Sequence, residues 1–434
     1  MHRRWPRILA LSMGIPLILA FLAACGPGTN STDTQGVVTI KIGSDFPTSQ
    51  ADASSGKPAE EGVRYAIDQA NKTNFLPGYN FVIDARDDVG LSGTYDQGVG
   101  KDNVDKLIAD AQVSAIVGPF NSSVAKAEMP DANNAGIALI SPSNSNNCLT
   151  QETPADECGG ANSLITKLRP TGKVTYFRTA TLDQYQGGAL AKFAYVEKGY
   201  STAYVIDNTG TYGAGLATNF IKAFEKYGGT IVDHKSIKSA TSYEDVLTAV
   251  AAAKPDVLFF GGEDSTGGIT IRQQMANVHG LENLPFLGGD GIKTRTFAQS
   301  IAPQGGGPVY GSIPSAASAS KEFETNFLNT YHEIGAYSAG AYDDAQIVLN
   351  AIKKVIQDEK VLPPKNSKDM TTAQTFRRKV IDAIQNTDYS GLTGHHTFDK
   401  NGDTTNRSIS VFTMGDVNVS DGWTYVEGID VSKL

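Results

Sequence analysis

Six short stretches concentrate the side chains suited to recognising a small polar molecule: GSDF at Gly43, GPFNSS at Gly118, SPSNS at Ser141, DNTGTYG at Asp207, GGEDSTGG at Gly261 and GGDG at Gly288. Each gathers hydroxyls, amides or carboxylates, and all but SPSNS set them beside glycines, which let a backbone come close to a bound molecule. That is the chemistry of hydrogen bonding and charge pairing. Covalent chemistry is not written in the same way. The chain has no G-x-S-x-G, no H-E-x-x-H and no G-x-x-x-x-G-K-[ST], so neither a nucleophile elbow, a zinc helix nor a phosphate loop is encoded.

Three other motifs carry less. Asp399–Asp403, DKNGD, begins like a calcium loop, but its twelfth position is Ser410 where a bidentate Glu is needed, so a turn is expected. His395-His396 has no acid or histidine partner at helical spacing, and no metal is expected. Gly213 and Gly215 lack the third glycine of a dinucleotide fingerprint. No cofactor is implied. Arg178 is expected to be structural or hinge-related, and Asp87-Asp88 to bond loop amides at a strand end.

The elements that position the six stretches alternate regularly. Val37–Phe46, Tyr79–Asp88, Val113–Phe120 and Ile137–Ser143 read as strands. Between them, Ala59–Lys72 places Val63, Ala66, Ile67 and Ala70 on one helical face, and Asp102–Gln112 and Ser122–Gly136 also read as helices. The pattern restarts after Arg178, with strands at 201–208, 229–237, 255–262 and 284–291 and helices at 213–228, 243–254 and 266–280. Ser338–Gln357 and Thr372–Asn386 are further helices, and Gly394–Gly415 reads as two strands joined at DKNGD. Strand–helix alternation at this spacing implies parallel sheets with right-handed crossovers, hence two α/β halves. Ligands of such sheets bind beyond the C-terminal strand ends, where the six stretches lie.

The first 36 residues are of another kind. Basic MHRRWPR precedes the apolar run Ile8–Ala24, of signal-peptide length and interrupted by Pro16. Leu22-Ala23-Ala24-Cys25 resembles the bacterial lipobox, which implies a leader over 1–24 and lipid on Cys25. The other reading is an ordinary secretory signal with an incidental cysteine. Residues 25–36, rich in Gly, Ser and Thr, read as a tether. In an exported chain, Cys148 and Cys158 suggest a disulfide worth about 2.5–3 kcal/mol in the loop-entropy model. The net charge is −9, and −12 without residues 1–24, which hold three arginines and no acid. This balance disfavours nucleic acid as a partner.

The order of GVRYAIDQAN, DARDD, AIVGPFNSS, IALISPSNS, YFRTATLDQYQG, AYVIDNTGTYGAGLA, PDVLFFGG, PFLGGDG, YDDAQIVLNAI and GLTGHHTFDKNGD resembles that of branched-chain-amino-acid-type substrate-binding proteins of ABC importers. The resemblance spans nearly all of the chain after the tether. It implies the type I periplasmic-binding-protein fold: two doubly wound α/β lobes, three hinge crossovers, and closure on a ligand. The lobes are expected at 37–180 with 311–394, and at 181–310 with 395–434.

The resemblance also implies a site. Asn121 and Ser122, Ser143 and Ser145 would meet a ligand carboxylate or ammonium; Ser122 reads equally as a helix N-cap and the serine pair as a polar turn. Asp290 would pair the ammonium, or be a solvated turn residue. Tyr212 would close over the ligand or be a half-buried aromatic, and Asp183 would be a ligand neighbour or a hinge group. Two departures make the pocket more acidic and polar: Glu263, followed by Asp264, stands where a tyrosine is the pattern, and SSGKP at Ser55 lacks the family aromatic.

The implied protein is no enzyme. It is an extracytoplasmic lipoprotein, attached to the membrane only through its lipid, that delivers an amino acid or related solute to a permease and its ATPase subunits. The alternative within the same fold is a ligand-sensing receptor that signals to a membrane partner.

Overall fold

The computed structural model describes residues 37–152, 164–317, 320–418 and 421–433. The expected leader, the tether, Cys25 and Cys158 lie outside them. Among the described residues no helix is long and apolar enough to cross a membrane.

The β-branched run after the tether becomes β1 (Val38–Phe46), followed by β2 (Tyr79–Asp87), β3 (Val113–Val117), β4 (Ala138–Ser141) and β5 (Tyr176–Arg178). They form one parallel sheet in the order β2-β1-β3-β4-β5. The chain then builds β6 (Thr202–Asp207), β7 (Thr230–Ser236), β8 (Val257–Gly261), β9 (Phe286–Gly288) and β10 (Val309–Ile313). After three helices come a short hairpin, β11 (Tyr389–Gly391) with β12 (Gly394–His396), and then β13 (Ser408–Met414) and β14 (Trp423–Asp430). The second sheet runs β14-β13-β10-β9-β8-β6-β7. Its parallel part repeats the plan of the first, and two antiparallel strands extend its edge.

The alternation within β1 sorts the first lobe's core. Ile40, Ile42 and Phe46 pack with Val63, Ala66 and Ile67 of helix Ala53–Lys72 and with Val348 and Ile352 of helix Ser338–Gln357. The opposite face of the sheet meets Val104, Leu107, Ala125 and Met129. Each such aliphatic side chain contributes roughly 1.5–3 kcal/mol on burial. A Cβ at Gly62 would stand 2.3 Å from the Ser338 carbonyl oxygen, so glycine lets these two helices meet backbone to backbone. The second lobe has a core on each face of its sheet, one around Phe260, Phe286 and Phe297, the other around Phe220, Phe224 and Phe259.

Three expectations shift. Helix Ala53–Lys72 begins six residues before Ala59 and takes in Pro58 and all of SSGKP. The two strands expected on either side of DKNGD join different sheets: β12 pairs with β11, whereas β13 joins β10 and β14 because Ile409 and Val411 fill the second lobe's core. The lobe limits move for the same reason. Residues 311–313 belong to the second sheet, and 395–404 stay with the first lobe, where Phe398 packs on Phe177.

The DKNGD turn forms between these elements. Asp399 accepts the Asn401 and Asp403 amides at 2.7 and 3.0 Å, and Asp403 reaches Arg178. His396 is fully buried between Thr393 and Thr404, and burial with its neighbour His395 pushes its imidazole down to about 4. Among the described residues no group of three or more His, Cys, Asp or Glu is arranged to hold a metal ion.

Candidate cleft between the lobes

The C-terminal strand ends of the two sheets meet face to face, and hydrogen bonds cross between them. The Thr211 amide donates to Ser123 Oγ at 3.2 Å, Asn146 Nδ2 to the Thr211 carbonyl at 2.6 Å, and the Tyr95 hydroxyl to Glu263 Oε1 at 3.3 Å. The lobes are therefore closed on each other. Two voids of about 20 Å³ remain between them. One is bordered by Ser55, Phe120, Asp290 and Tyr337, with Lys293 at its edge. The other is bordered by Asp52, Ser55, Asn121, Glu263, Asp264 and Asp290. A larger cavity, about 560 Å³, lies elsewhere, between Asn133 and helix Met370–Gln385 on the first lobe, with Asp382 as the one carboxylate among its lining residues.

Asp290 is the acid of the second lobe. It follows β9 in a loop whose glycines allow close approach: a Cβ at Gly291 would stand 2.4 Å from the Gly262 carbonyl oxygen. Its Oδ1 accepts Gln186 Nε2 and the Tyr212 hydroxyl, each at 2.8 Å. Burial raises the Asp290 carboxyl above its ordinary range, and these donors oppose the rise. Tyr212, near the start of helix Thr211–Lys226, is buried and holds Asp290 from behind rather than covering the cleft. Burial, with the charge of Asp290 adding to it, pushes its phenol well up.

The other acids gather around the second void. Glu263 accepts from Tyr95, from Asn208 Nδ2 and, at 2.9 Å, from Thr266 Oγ1. Asp264 accepts the Thr294 hydroxyl, and burial pushes it up to about 7. Asp52, from the first lobe, accepts the Tyr95 amide at 2.7 Å and is raised by burial.

The remaining expected residues are spread around this centre. Asn121 occupies the N-cap position of helix Ser122–Ala135 by its backbone angles, its amide oxygen has no hydrogen-bond partner, and it borders the second void. Ser122 is thus the first helical residue, buried beside the cleft but on the border of neither void. Ser143 donates to the Phe120 carbonyl at 2.7 Å and fixes that loop. Ser145 is buried, and its carbonyl accepts the Asp183 amide at 2.7 Å. Asp183 begins helix Asp183–Lys192 at the passage between lobes; it is fully buried and pushed up to about 7 by desolvation. Cys148 is buried in a turn at Asn147–Leu149, and its expected partner lies outside the described residues.

Sequence reasoning missed Asp52, Phe120 and Tyr337. The rings of Phe120 and Tyr337 meet edge to face at 5.3 Å and wall the first void, supplying the aromatic surface that SSGKP lacks. Phe120 stands inside a loop already singled out, GPFNSS. Asp52 and Tyr337 each immediately precede a helix; an earlier start for helix Ala53–Lys72 would have pointed to Asp52, whereas Tyr337 stood beside a correctly placed helix start without a local signal of its own.

Known proteins share this arrangement. The family model described as periplasmic binding protein matches residues 39–421. The Leu/Ile/Val-binding protein BraC3 of Rhizobium johnstonii is 26% identical over 334 residues, covering 72% of this chain and 83% of that protein. The leucine-, isoleucine-, valine-, threonine-, and alanine-binding protein of Pseudomonas aeruginosa is 25% identical, covering 86% and 89%. Among solved structures, the leucine binding protein LivK of Thermotoga maritima superposes with a TM-score of 0.71 at 20% identity, covering 91% of this chain and all of that one. A solute binding protein of Rhodopseudomonas palustris in complex with p-hydroxybenzoic acid superposes at 0.69 with 18% identity, covering 91% and 97%. With two doubly wound lobes closed over a polar cleft, and a family model spanning both, the chain belongs to the periplasmic binding protein family, whose members bind solutes and are not enzymes.

Proposed function

We propose that the protein is the extracytoplasmic solute-binding lipoprotein of an ABC importer. It captures an amino acid or a related small polar solute in the cleft and hands it to a permease served by ATPase subunits. The observation that carries this reading is Asp290, a buried carboxylate oriented by Gln186 and Tyr212 across the cleft from the starts of helices Ala53–Lys72 and Ser122–Ala135. A carboxylate so held suits an ammonium. Helix N-termini suit a carboxylate, through free amides and the helix dipole. A zwitterion bridging both lobes would favour closure, because neither lobe alone offers both partners. The names of the amino-acid-binding relatives support the same class of solute. Lipid on Cys25, outside the described residues, would keep the protein at the membrane where the permease sits.

The test is a thermal-shift and calorimetric screen of the purified protein against amino acids, amides and amines, followed by uptake of any hit in cells lacking the protein. A ligand at one hundred times its Kd stabilises by about 2.7 kcal/mol, which is visible as a raised Tm. Binding together with lost uptake supports the importer. No shift with any of these solutes, in protein freed of carried-over ligand, would withdraw it.

A further inference from the structure

The second void joins carboxylates of both lobes. Asp52 belongs to the first lobe and Glu263 and Asp264 to the second, and Tyr95 ties them together, its amide on Asp52 at 2.7 Å and its hydroxyl on Glu263 at 3.3 Å. No Lys or Arg borders this void; Lys293 and Arg295 border the first, and Lys293 is paired with Asp421. Closure therefore drives like charges together, at a cost that falls when a positive group lies between them or when they take up protons. Each of the three carboxyls is raised by burial, and Asp52 raises the other two further across the lobe boundary.

Independent of these acids, Asn121 points to a donor in the same place. It is only 8% exposed, borders the void, and its amide oxygen lacks a partner. A buried acceptor left without a donor is costly. The void, about 20 Å³, is the size that holds one water or a group no larger, such as an ammonium. Phe120 lies on its border and offers a ring to a cation.

We infer that the solute carries a second cationic group, seated between Asp52 on the first lobe and Glu263 and Asp264 on the second. This rests on the amino-acid reading above, in which Asp290 takes the α-ammonium, and it makes the ligand a dibasic amino acid. The second positive group supplies what closure needs, so such a solute is selected over a neutral one of the same length.

The experiment is calorimetry of the purified protein with lysine, ornithine and arginine against norleucine, which matches lysine in chain length without the terminal ammonium. At least one dibasic amino acid is expected to bind ten-fold or more tighter than norleucine, and Asp264→Asn to reduce that ratio at least five-fold. Should Asp264→Asn fail to fold, the comparison of ligands on the unaltered protein decides alone. Norleucine binding as tightly as all three dibasic amino acids would overturn the inference and leave the importer reading standing. Binding of none of these, nor of any solute in the wider screen, would remove both.

Discussion

Arg178 and Asp403 stand 2.7 Å apart with both side chains fully buried, although 225 positions separate them. Arg178 ends β5, where the chain leaves the first sheet, and Asp403 lies on the last passage toward β13. The guanidinium also donates to the carbonyls of Asn144 and Asn146 at 3.1 and 2.7 Å and to the Thr150 hydroxyl. One side chain thus pins a hinge passage to the loop that faces the cleft.

Asp403→Ala leaves that guanidinium buried without its counter-charge. Breaking a buried pair from one side costs about 3–5 kcal/mol. Urea unfolding should show a midpoint lowered accordingly, and a loss below about 1 kcal/mol would mean the pair does not secure the passage.

Asp290→Asn keeps the shape of the cleft and removes the charge. Amino-acid affinity should fall about 30- to 100-fold, the scale of a lost charge-assisted bond. Tyr212→Phe removes only one donor from Asp290, so calorimetry should give about a ten-fold loss or less, below that of Asp290→Asn. Equal losses would place Tyr212 against the ligand rather than behind Asp290.

Stability should depend on pH in an unusual direction. Burial pushes Asp45, Asp183 and Asp264 up to about 7 from 3.8. Between those values the folded state holds protons that the unfolded state has released, so their stabilisation is complete below 3.8 and is lost as pH rises to 7. His396, pushed down to about 4, acts oppositely, but only between about 4 and 6.5. Denaturant midpoints should therefore decline from pH 6.5 to 7.5, where the carboxyls act alone. Asp183→Asn should shallow the decline by up to about 1.4 kcal/mol per pH unit. A midpoint that rises over this range contradicts the assignment.

Cys25→Ala should abolish lipid labelling of the N-terminus while leaving solute binding as it was. Metabolic labelling with a fatty acid, followed by mass analysis, reads this directly. A substituted chain that is still processed and lipid-modified would exclude Cys25 as the acceptor.

Local pattern carried much of this protein. Hydrophobic alternation placed β1, β2 and β6 to within a residue or two, and the period of helix Ser338–Gln357 fixed it end to end. The loops that hold Asp290 and Glu263 were legible as Gly- and acid-rich strand ends, and the structure sets both residues on the border of the second void. These features depend on neighbours in the chain, which the sequence displays. The start of helix Ala53–Lys72 was not legible, since Pro58 reads locally as a break and is tolerated through packing, its carbonyl accepting the Ser338 hydroxyl at 2.9 Å. Nor was it legible that β10 belongs to the second sheet, because its antiparallel partner β13 lies about a hundred residues away. The meeting of Asp52 with Glu263 and Asp264 was equally hidden. It exists only when two separately folded sheets close on each other, so its energy comes from the geometry of closure and not from any local stretch of chain.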